Sequence, residues 1–286
     1  MMLTCAACGK DGNGLKTCAG CKSVKYCSAD CQKEHRPRHK KECKQLAAAI
    51  HREALFKQPP PREECPICCL PLPFENKEAK YQACCGKLLC SGCICAVHAR
   101  DERSLCPFCR APETGPSGHL KRLLKRVEAN DPLAMFNLGN MSLHGMMSVP
   151  KDAKKAFGLF LRSGDLGYAP AYLNLANCYQ HGYGVKIDSK KAINYRELAC
   201  IGGDIIARKK LGGDAWNIGK KQDAVKHFMI GARMGHDDSL SALKVVFSEG
   251  FLSKSDFEMT LRAHKEASDE MKSEQRTAAA SNTIYR

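Results

Sequence analysis

Residues 5–43 read CAACGKDGNGLKTCAGCKSVKYCSADCQKEHRPRHKKEC, and this stretch decides how the amino-terminal part of the chain folds. Thiolates and imidazoles in sets of four suit tetrahedral zinc, and two cysteines separated by two residues can hold one ion from a tight turn. A segment this short buries too little apolar surface to fold alone, so metal is expected to supply the folding free energy. Eight candidate ligands predict two closed zinc sites: Cys5, Cys8, Cys18, Cys21, Cys27, Cys31, His39 and Cys43.

The ligand order resembles the MYND-type zinc finger, and the match extends to Tyr26-Cys27-Ser28 and Cys31-Gln32-Lys33-Glu34-His35. Ligand pairs interleave in that family. The resemblance therefore implies one zinc on Cys5, Cys8, Cys27 and Cys31, and another on Cys18, Cys21, His39 and Cys43. Two short helical pieces separated at Pro37 are expected to carry the last ligands, with Ser28 as the N-cap.

Fingers of this family often hold short proline-containing peptides against a glutamine and a tryptophan of this helix. Here Gln32 is present, whereas Arg36 stands where the tryptophan usually lies. Peptide capture by Tyr26 and Gln32 therefore competes with an interpretation in which both residues only stabilise the finger.

A second cysteine-rich module follows the first finger and its trailing helix (1–57) after a proline-rich linker, 58–64. It opens with Cys65-Pro-Ile-Cys68 and closes with Cys106-Pro-Phe-Cys109-Arg110. The module, 65–112, resembles a RING-type zinc finger in residues 65–110. The resemblance implies a first zinc on Cys65, Cys68, Cys90 and Cys93, and a second on Cys85, Cys106 and Cys109 with one further ligand.

The middle of this module departs from the RING pattern. Lys87 stands where the family has a histidine, and a protonated lysine cannot ligate zinc. Cys84, Cys95 and His98 are alternatives for the missing ligand, and Cys84 beside Cys85 is the simplest. The RING-like finger is therefore expected to hold one or two zinc ions, in addition to two in the first finger.

A RING finger has no nucleophile of its own and acts by holding a ubiquitin-conjugating enzyme. The resemblance implies that Ile67, Pro107 and Arg110 lie at that contact. The competing interpretation is that Ile67 and Pro107 shape zinc loops while Arg110 is an exposed charge. No catalytic residue is expected in the chain.

An internal repeat occupies residues 131–250. Ala134-x3-Leu138-Gly139 recurs as Ala171-x3-Leu175-Ala176 after 37 residues and as Ala207-x3-Leu211-Gly212 after 36. This period predicts a solenoid of helix pairs, and the pattern resembles Sel-1-like repeats, which are related to tetratricopeptide repeats. With a capping helix the repeats are expected to fill 119–270, followed by a loose polar tail, 271–286. Such solenoids typically offer a concave face to proteins, which implies protein or peptide partners.

The composition fits a protein of a reducing compartment, cytoplasm or nucleus. Of 19 cysteines, 17 lie at or before Cys109, in C-x2-C pairs with no leader sequence before them, which argues against a disulfide framework. No run of 18 apolar residues occurs, so no membrane contact is expected. The formal charge of +15 is lowered by zinc–thiolate sites, and the basic residues of 36–44 are interpreted as a solvated helix face rather than a nucleic-acid site.

The sequence thus predicts a multidomain chain in which two small zinc-stabilised fingers precede an all-α helical-repeat solenoid. The favoured function is a zinc-binding scaffold for protein–protein interaction. The alternative is a RING-type ubiquitin ligase that uses the repeats or the first finger to hold its substrate.

Overall fold

The computed structural model describes residues 4–74, 78–100 and 105–281, which divide into two compact units, Met1–Lys57 and Gln58–Arg286. The first unit holds β1 (Lys16–Thr17), β2 (Lys25–Tyr26) and α1 (Ala29–Phe56). The second holds β3 (Ala79–Gln82), β4 (Lys87–Cys90), α2 (Ser91–His98), α3 (Pro116–Glu128), α4 (Pro132–His144), α5 (Ala153–Asp165), α6 (Ala169–His181), α7 (Ser189–Ile201), α8 (Ile205–Asn217), α9 (Lys221–Arg233), α10 (Asp237–Ser248), α11 (Lys254–Glu270) and α12 (Glu274–Ser281).

The helix α1 dominates the first unit. Ser28 is its N-cap, because its hydroxyl accepts a hydrogen bond from the backbone N–H of Cys31 at 3.1 Å, as the sequence predicts. The helix runs through Pro37 without a break, so the expectation of two short pieces is wrong. A proline inside a helix removes one backbone donor. Here that loss is tolerated between two candidate metal ligands, Cys31 before the proline and His39 after it.

The RING-like finger is a short hairpin followed by a helix. Strand β3 pairs antiparallel with β4, with Ala79 opposite Cys90 and Gln82 opposite Lys87. Leu89 and Ile94 are buried and pack among cysteines rather than among a large apolar core. This composition fits a small domain that depends on metal.

Helices α4 to α9 form three successive pairs, as the repeat predicts. The second helices α5 and α7 are preceded by the N-caps Asp152 and Asp188, whose carboxylates accept hydrogen bonds from backbone N–H groups at 2.9 and 3.0 Å. Glycines after the second helices have left-handed φ angles of 92°, 96° and 85° at Gly167, Gly203 and Gly235. The third pair has a shorter turn, residues 218–220.

In the first and third helix pairs, the eighth residue of one helix faces the eighth residue of the other. A Cβ added to Gly139 on α4 would lie 2.6 Å from Phe160 on α5, and one added to Gly212 on α8 would lie 2.5 Å from Phe228 on α9. The helices can approach this closely only because the facing residue has no side chain. The middle pair differs at these positions, where it has Ala176 and Arg196, and the buried Arg196 is paired with Asp214 and Gln180.

The RING-like finger and the repeats share one hydrophobic core, although the sequence suggested two separate domains. Tyr81 of β3 packs against a cluster that includes Leu123 and Leu138. Its hydroxyl donates a hydrogen bond to Asp131 Oδ2 at 2.7 Å, and burial together with this bond raises the pKa of Tyr81. Asp131 also caps α4 by accepting from the backbone N–H of Leu133 at 3.0 Å. The hairpin is thereby fixed to the start of the first repeat.

The chain after Lys272 is not the loose tail that the sequence suggested. Residues Glu274–Ser281 form α12, which packs against α2 of the RING-like finger and buries Ala279. Residues 282–286 of the expected tail lie outside the described residues. Among the helices of the described segments, none combines the length and apolar character needed to cross a membrane.

Candidate metal centres

Four turns of the same geometry each present two cysteine thiols. In four C-x2-C pairs, which begin at Cys5, Cys18, Cys65 and Cys106, the backbone N–H after the second cysteine donates to the carbonyl of the first, over 2.8 to 2.9 Å. The donating residue is left-handed in every case, with φ angles of 72°, 55°, 55° and 61° at Gly9, Lys22, Cys69 and Arg110. Only one of these residues is glycine, so the other three have a strained left-handed backbone in the turn that aims the paired thiols at one point. Cys69 is exposed in this turn.

The first unit brings its eight predicted ligands together in two clusters. One holds Cys5, Cys8, Cys27 and Cys31, and the other holds Cys18, Cys21, His39 and Cys43, with all ligand atoms of a cluster within 4.8 Å of one another. His39 is 3% exposed, and its Nε2 lies 3.3 Å from the thiol of Cys21. Its Nδ1 lies 3.4 Å from a carboxylate oxygen of Glu42, the outer partner that ligating histidines commonly have.

The RING-like finger also brings its candidate ligands together in two clusters. One consists of Cys65, Cys68, Cys90 and Cys93, and the other of Cys84, Cys85, Cys106 and Cys109. Cys95 and His98, the other candidates for the ligand that Lys87 replaces, do not belong to either cluster. The adjacent residues Cys84 and Cys85 both reach the second cluster because they lie in the tight turn between β3 and β4.

The spacing of the thiols fits zinc. At a Zn–S distance of about 2.3 Å, two sulfurs of a tetrahedral site lie about 3.8 Å apart. The sulfurs of Cys18 and Cys43 are 3.8 Å apart, those of Cys68 and Cys90 are 3.8 Å apart, and those of Cys85 and Cys106 are 4.0 Å apart. These distances are too long for a disulfide, so each cluster is a set of separate ligands.

The thiols of a cluster cannot ionise independently. Backbone hydrogen bonds, first that from Cys8, lower the pKa of Cys5 to about 6, whereas the side-chain hydrogen bond with Cys31 raises the pKa of Cys27 to about 12. In the RING-like finger, the side-chain hydrogen bond with Cys90 leads the causes that lower the pKa of Cys65 to about 4, while burial raises the pKa of Cys84. Zinc would supply the positive charge that allows all four sulfurs of a cluster to become thiolates.

The predicted partner-binding residues lie in different environments. Tyr26 is 2% exposed with its hydroxyl 3.1 Å from His35 Nδ1, and Gln32 donates to the candidate ligand Cys18 at 3.9 Å. Both geometries favour the interpretation in which these residues stabilise the finger. Ile67 and Arg110 are exposed on the RING-like finger, and Pro107 is half-buried.

One further arginine and one further group of asparagines were not identified from the sequence. Arg276 of α12 contacts the first cluster of the RING-like finger. Four asparagines line the first helices of the repeats: Asn137, Asn140, Asn174 and Asn177. Their spacing of 37 residues, the same as that of the repeat, was a signal that sequence reasoning missed, whereas no local pattern marks Arg276.

Comparison with known proteins supports both halves of this architecture. Residues 5–43 match the family model of the MYND finger, and residues 132–168 and 169–204 match that of the Sel1 repeat. The SET domain and MYND-type zinc finger protein 6 of Schizosaccharomyces pombe is 46% identical over 46 residues, which are 16% of this chain and 10% of that protein.

Two solved structures are similar to the repeat half. A Sel1 repeat protein from Oxalobacter formigenes has a TM-score of 0.46 and 24% identity, with 54% of this chain and 64% of that chain covered. A protective antigen of uropathogenic Escherichia coli with an SLR fold has a TM-score of 0.45 and 26% identity, with 54% and 33% covered. The chain thus spans less than two thirds of each protein that it matches here. It contains a MYND finger at residues 5–43 and two Sel1 repeats within residues 132–204.

Proposed function

We propose that the protein is a zinc-stabilised scaffold that binds an extended segment of a partner protein along the first helices of its repeats. The MYND finger and the Sel1 repeats are both modules of protein interaction, and the RING-like finger, with two candidate metal clusters, packs against the first repeat. The observation that carries this proposal is a row of half-buried polar side chains that crosses three helices.

The row consists of asparagines that occupy equivalent positions in successive repeats. Asn137 and Asn140 on α4 correspond to Asn174 and Asn177 on α6, and all four are half-buried. Asn174 Nδ2 donates to Asn140 Oδ1 at 2.9 Å, and the ammonium of Lys210 on α8 donates to Asn177 Oδ1 at 3.4 Å. These bonds place four of the polar side chains side by side across the three helices, whereas Asn137 Nδ2 donates to the carbonyl of Leu133 on its own helix at 2.7 Å.

An amide side chain both donates and accepts hydrogen bonds, so a row of amides can bind the backbone of an extended peptide whatever its side chains are. At the end of the row near the RING-like finger, a cavity of about 300 Å³ is lined by Asn137, Asn140, Phe136, Tyr168 and Leu88. Lys80 lines the same cavity, and Lys210 marks the other end of the row. The surface therefore suits an extended acidic peptide with one apolar side chain in the cavity.

Peptides selected from a displayed random library on the zinc-loaded full chain provide the test. The double variant Asn137→Ala/Asn174→Ala is expected to bind them about tenfold or more weakly, since each lost hydrogen bond contributes roughly 0.5–1.5 kcal/mol. Asn217→Ala, an exposed asparagine at the end of α8, is the matched control. Isothermal titration calorimetry measures the affinities. Equal affinity of the double variant and the wild type would place the binding surface elsewhere.

The zinc content of the scaffold gives a second expected result. Native mass spectrometry of the full chain is expected to count four zinc ions, and Cys84→Ser is expected to retain three, because Cys84 completes the second cluster of the RING-like finger. Cys95→Ser is the control, because Cys95 lies outside all four clusters, and it should retain four. A Cys84→Ser chain with four ions, or a Cys95→Ser chain with three, would contradict this ligand assignment.

Ubiquitin ligation is a second candidate function, favoured by two observations. The second cluster of the RING-like finger has four thiols despite Lys87, and Ile67 in the first zinc loop is 39% exposed. If the finger holds a conjugating enzyme, the full chain should speed ubiquitin discharge from that enzyme to free lysine. Ile67→Ala should lose this effect, whereas Ile50→Ala, of similar exposure at 41%, should keep it. No acceleration across a panel of conjugating enzymes would argue for the scaffold alone.

A further inference from the structure

The guanidinium of Arg276 lies in a ready-made site on the RING-like finger. Its Nη1 donates to the carbonyl oxygens of Pro71 and Met271, each at 2.8 Å. Its Nη2 donates to the carbonyl oxygen of Leu70 at 3.3 Å and to the sulfur of Cys68 at 3.6 Å. Cys68 belongs to the first metal cluster of the finger, so this arginine contacts a candidate ligand from more than 200 positions away along the chain.

The surrounding backbone is shaped to admit the helix that carries this arginine. A Cβ added to Gly92 on α2 would lie 2.8 Å from the backbone nitrogen and from Cγ of Arg276. The three heavy atoms nearest to that Cβ all belong to Arg276, so the missing side chain at Gly92 serves this contact. Ser273 accepts a hydrogen bond from the backbone N–H of Arg276 at 3.2 Å and thereby starts α12 at the correct place.

The positive charges around the site favour a negatively charged group beside them. A second half-buried arginine, Arg62, stacks its guanidinium on Phe74 at 3.7 Å and donates to the sulfur of Met271. Burial, and then repulsion by Arg276, lower the pKa of Arg62 to about 10, while Glu78 opposes the shift. Two neighbouring cations at a half-buried surface repel each other. Zinc with four thiolates carries a net charge of −2 and would offset that repulsion.

We propose that the first zinc loop of the RING-like finger is a binding site for an arginine on a helix. The helix α12 of the same chain occupies this site through Arg276. Zinc bound by Cys65, Cys68, Cys90 and Cys93 strengthens the binding. The inference goes beyond the scaffold function and rests on it only for the presence of that zinc. A zinc–thiolate sulfur is an anionic acceptor, so its hydrogen bond with a guanidinium is charge-assisted. Because linkage is reciprocal, the docked arginine also stabilises the metal.

The test measures both the docking of α12 and the retention of zinc in the zinc-loaded full chain. Hydrogen–deuterium exchange reports the protection of residues 274–281, and extraction by a chromogenic chelator reports the rate at which each zinc leaves. Arg276→Ala is expected to lose the protection and to release one zinc per chain about tenfold faster or more, the effect typical of an outer partner of a metal ligand. Arg262→Ala, an exposed arginine on α11, is the control and should behave as the wild type.

A second variant separates the docking from the arginine itself. Gly92→Ala keeps Arg276 and every cysteine, yet its new methyl group should displace α12, so residues 274–281 should lose protection and one zinc should again leave faster. Unchanged protection and release in either Arg276→Ala or Gly92→Ala would overturn the proposal. A wild-type chain that binds no zinc at Cys65, Cys68, Cys90 and Cys93 in native mass spectrometry would overturn the zinc scaffold as well, which distinguishes the two failures.

Discussion

Replacing Cys21 by serine is expected to unfold residues 5–43, the largest effect of any single substitution considered for this chain. Cys21 is 1% exposed and belongs to the cluster with Cys18, His39 and Cys43. The buried core of this finger consists of three cysteines and Tyr26, so little apolar surface holds it together without metal. Binding of a structural zinc is worth about 10–16 kcal/mol, which is more than the stability of most small domains.

Exchange of backbone amides and native mass spectrometry measure this effect together. Cys21→Ser should lose at least one zinc and the protection of residues 5–43, while residues 58–281 should stay protected because they form the other unit. Cys69→Ser is the matched control, since Cys69 is an exposed cysteine outside the four clusters. A Cys21→Ser chain with the wild-type zinc count and protection would show that zinc does not hold this finger together.

Phe160→Ala is expected to destabilise the repeats by about 3–5 kcal/mol, the usual cost of truncating a buried phenylalanine. Phe160 is 0% exposed and packs with Phe136, Ala171 and Leu175. Gly139 faces its ring from α4, so no side chain from that direction can fill the cavity. The cost should therefore lie in the upper part of the range.

Urea unfolding of the zinc-saturated chain measures this loss, followed by far-ultraviolet circular dichroism. Phe157→Ala provides the comparison, because Phe157 lies on the same helix but is only half-buried. Exchange of the amides of α4 to α6 shows whether the loss stays local, as expected for a repeat array. A midpoint for Phe160→Ala no lower than that for Phe157→Ala would contradict the packing described here.

The regular parts of the fold could be predicted from sequence because their signals are local or periodic. The repeat was readable from Ala134, Leu138 and their equivalents, and the N-cap of α1 from Ser28. The four ligands of each cluster could be grouped by spacing and family resemblance, except that the sequence left Cys84, Cys95 and His98 as alternatives for one ligand. That choice depends on the turn between two strands, which spacing does not fix.

The remaining features depend on contacts between distant residues. The docking of α12 joins Arg276 to Leu70 and Pro71 across about two thirds of the chain, and nothing in the polar sequence after Lys272 indicates it. The continuous helix through Pro37 was missed because a proline usually ends a helix. The fusion of finger and repeats through Tyr81 was missed because a single aromatic residue in a strand carries no information about its partner.

The contact of Tyr81 with the start of the first repeat means that a finger with two candidate metal sites forms one end of the array. A solenoid needs terminal units that shield its apolar ends, and here the RING-like finger covers Leu123 and Leu138. If the finger lost its zinc, this end of the array would be uncovered and could stack on another copy of itself. Loss of metal from the finger would then expose apolar surface of the repeats as well as unfold the finger itself.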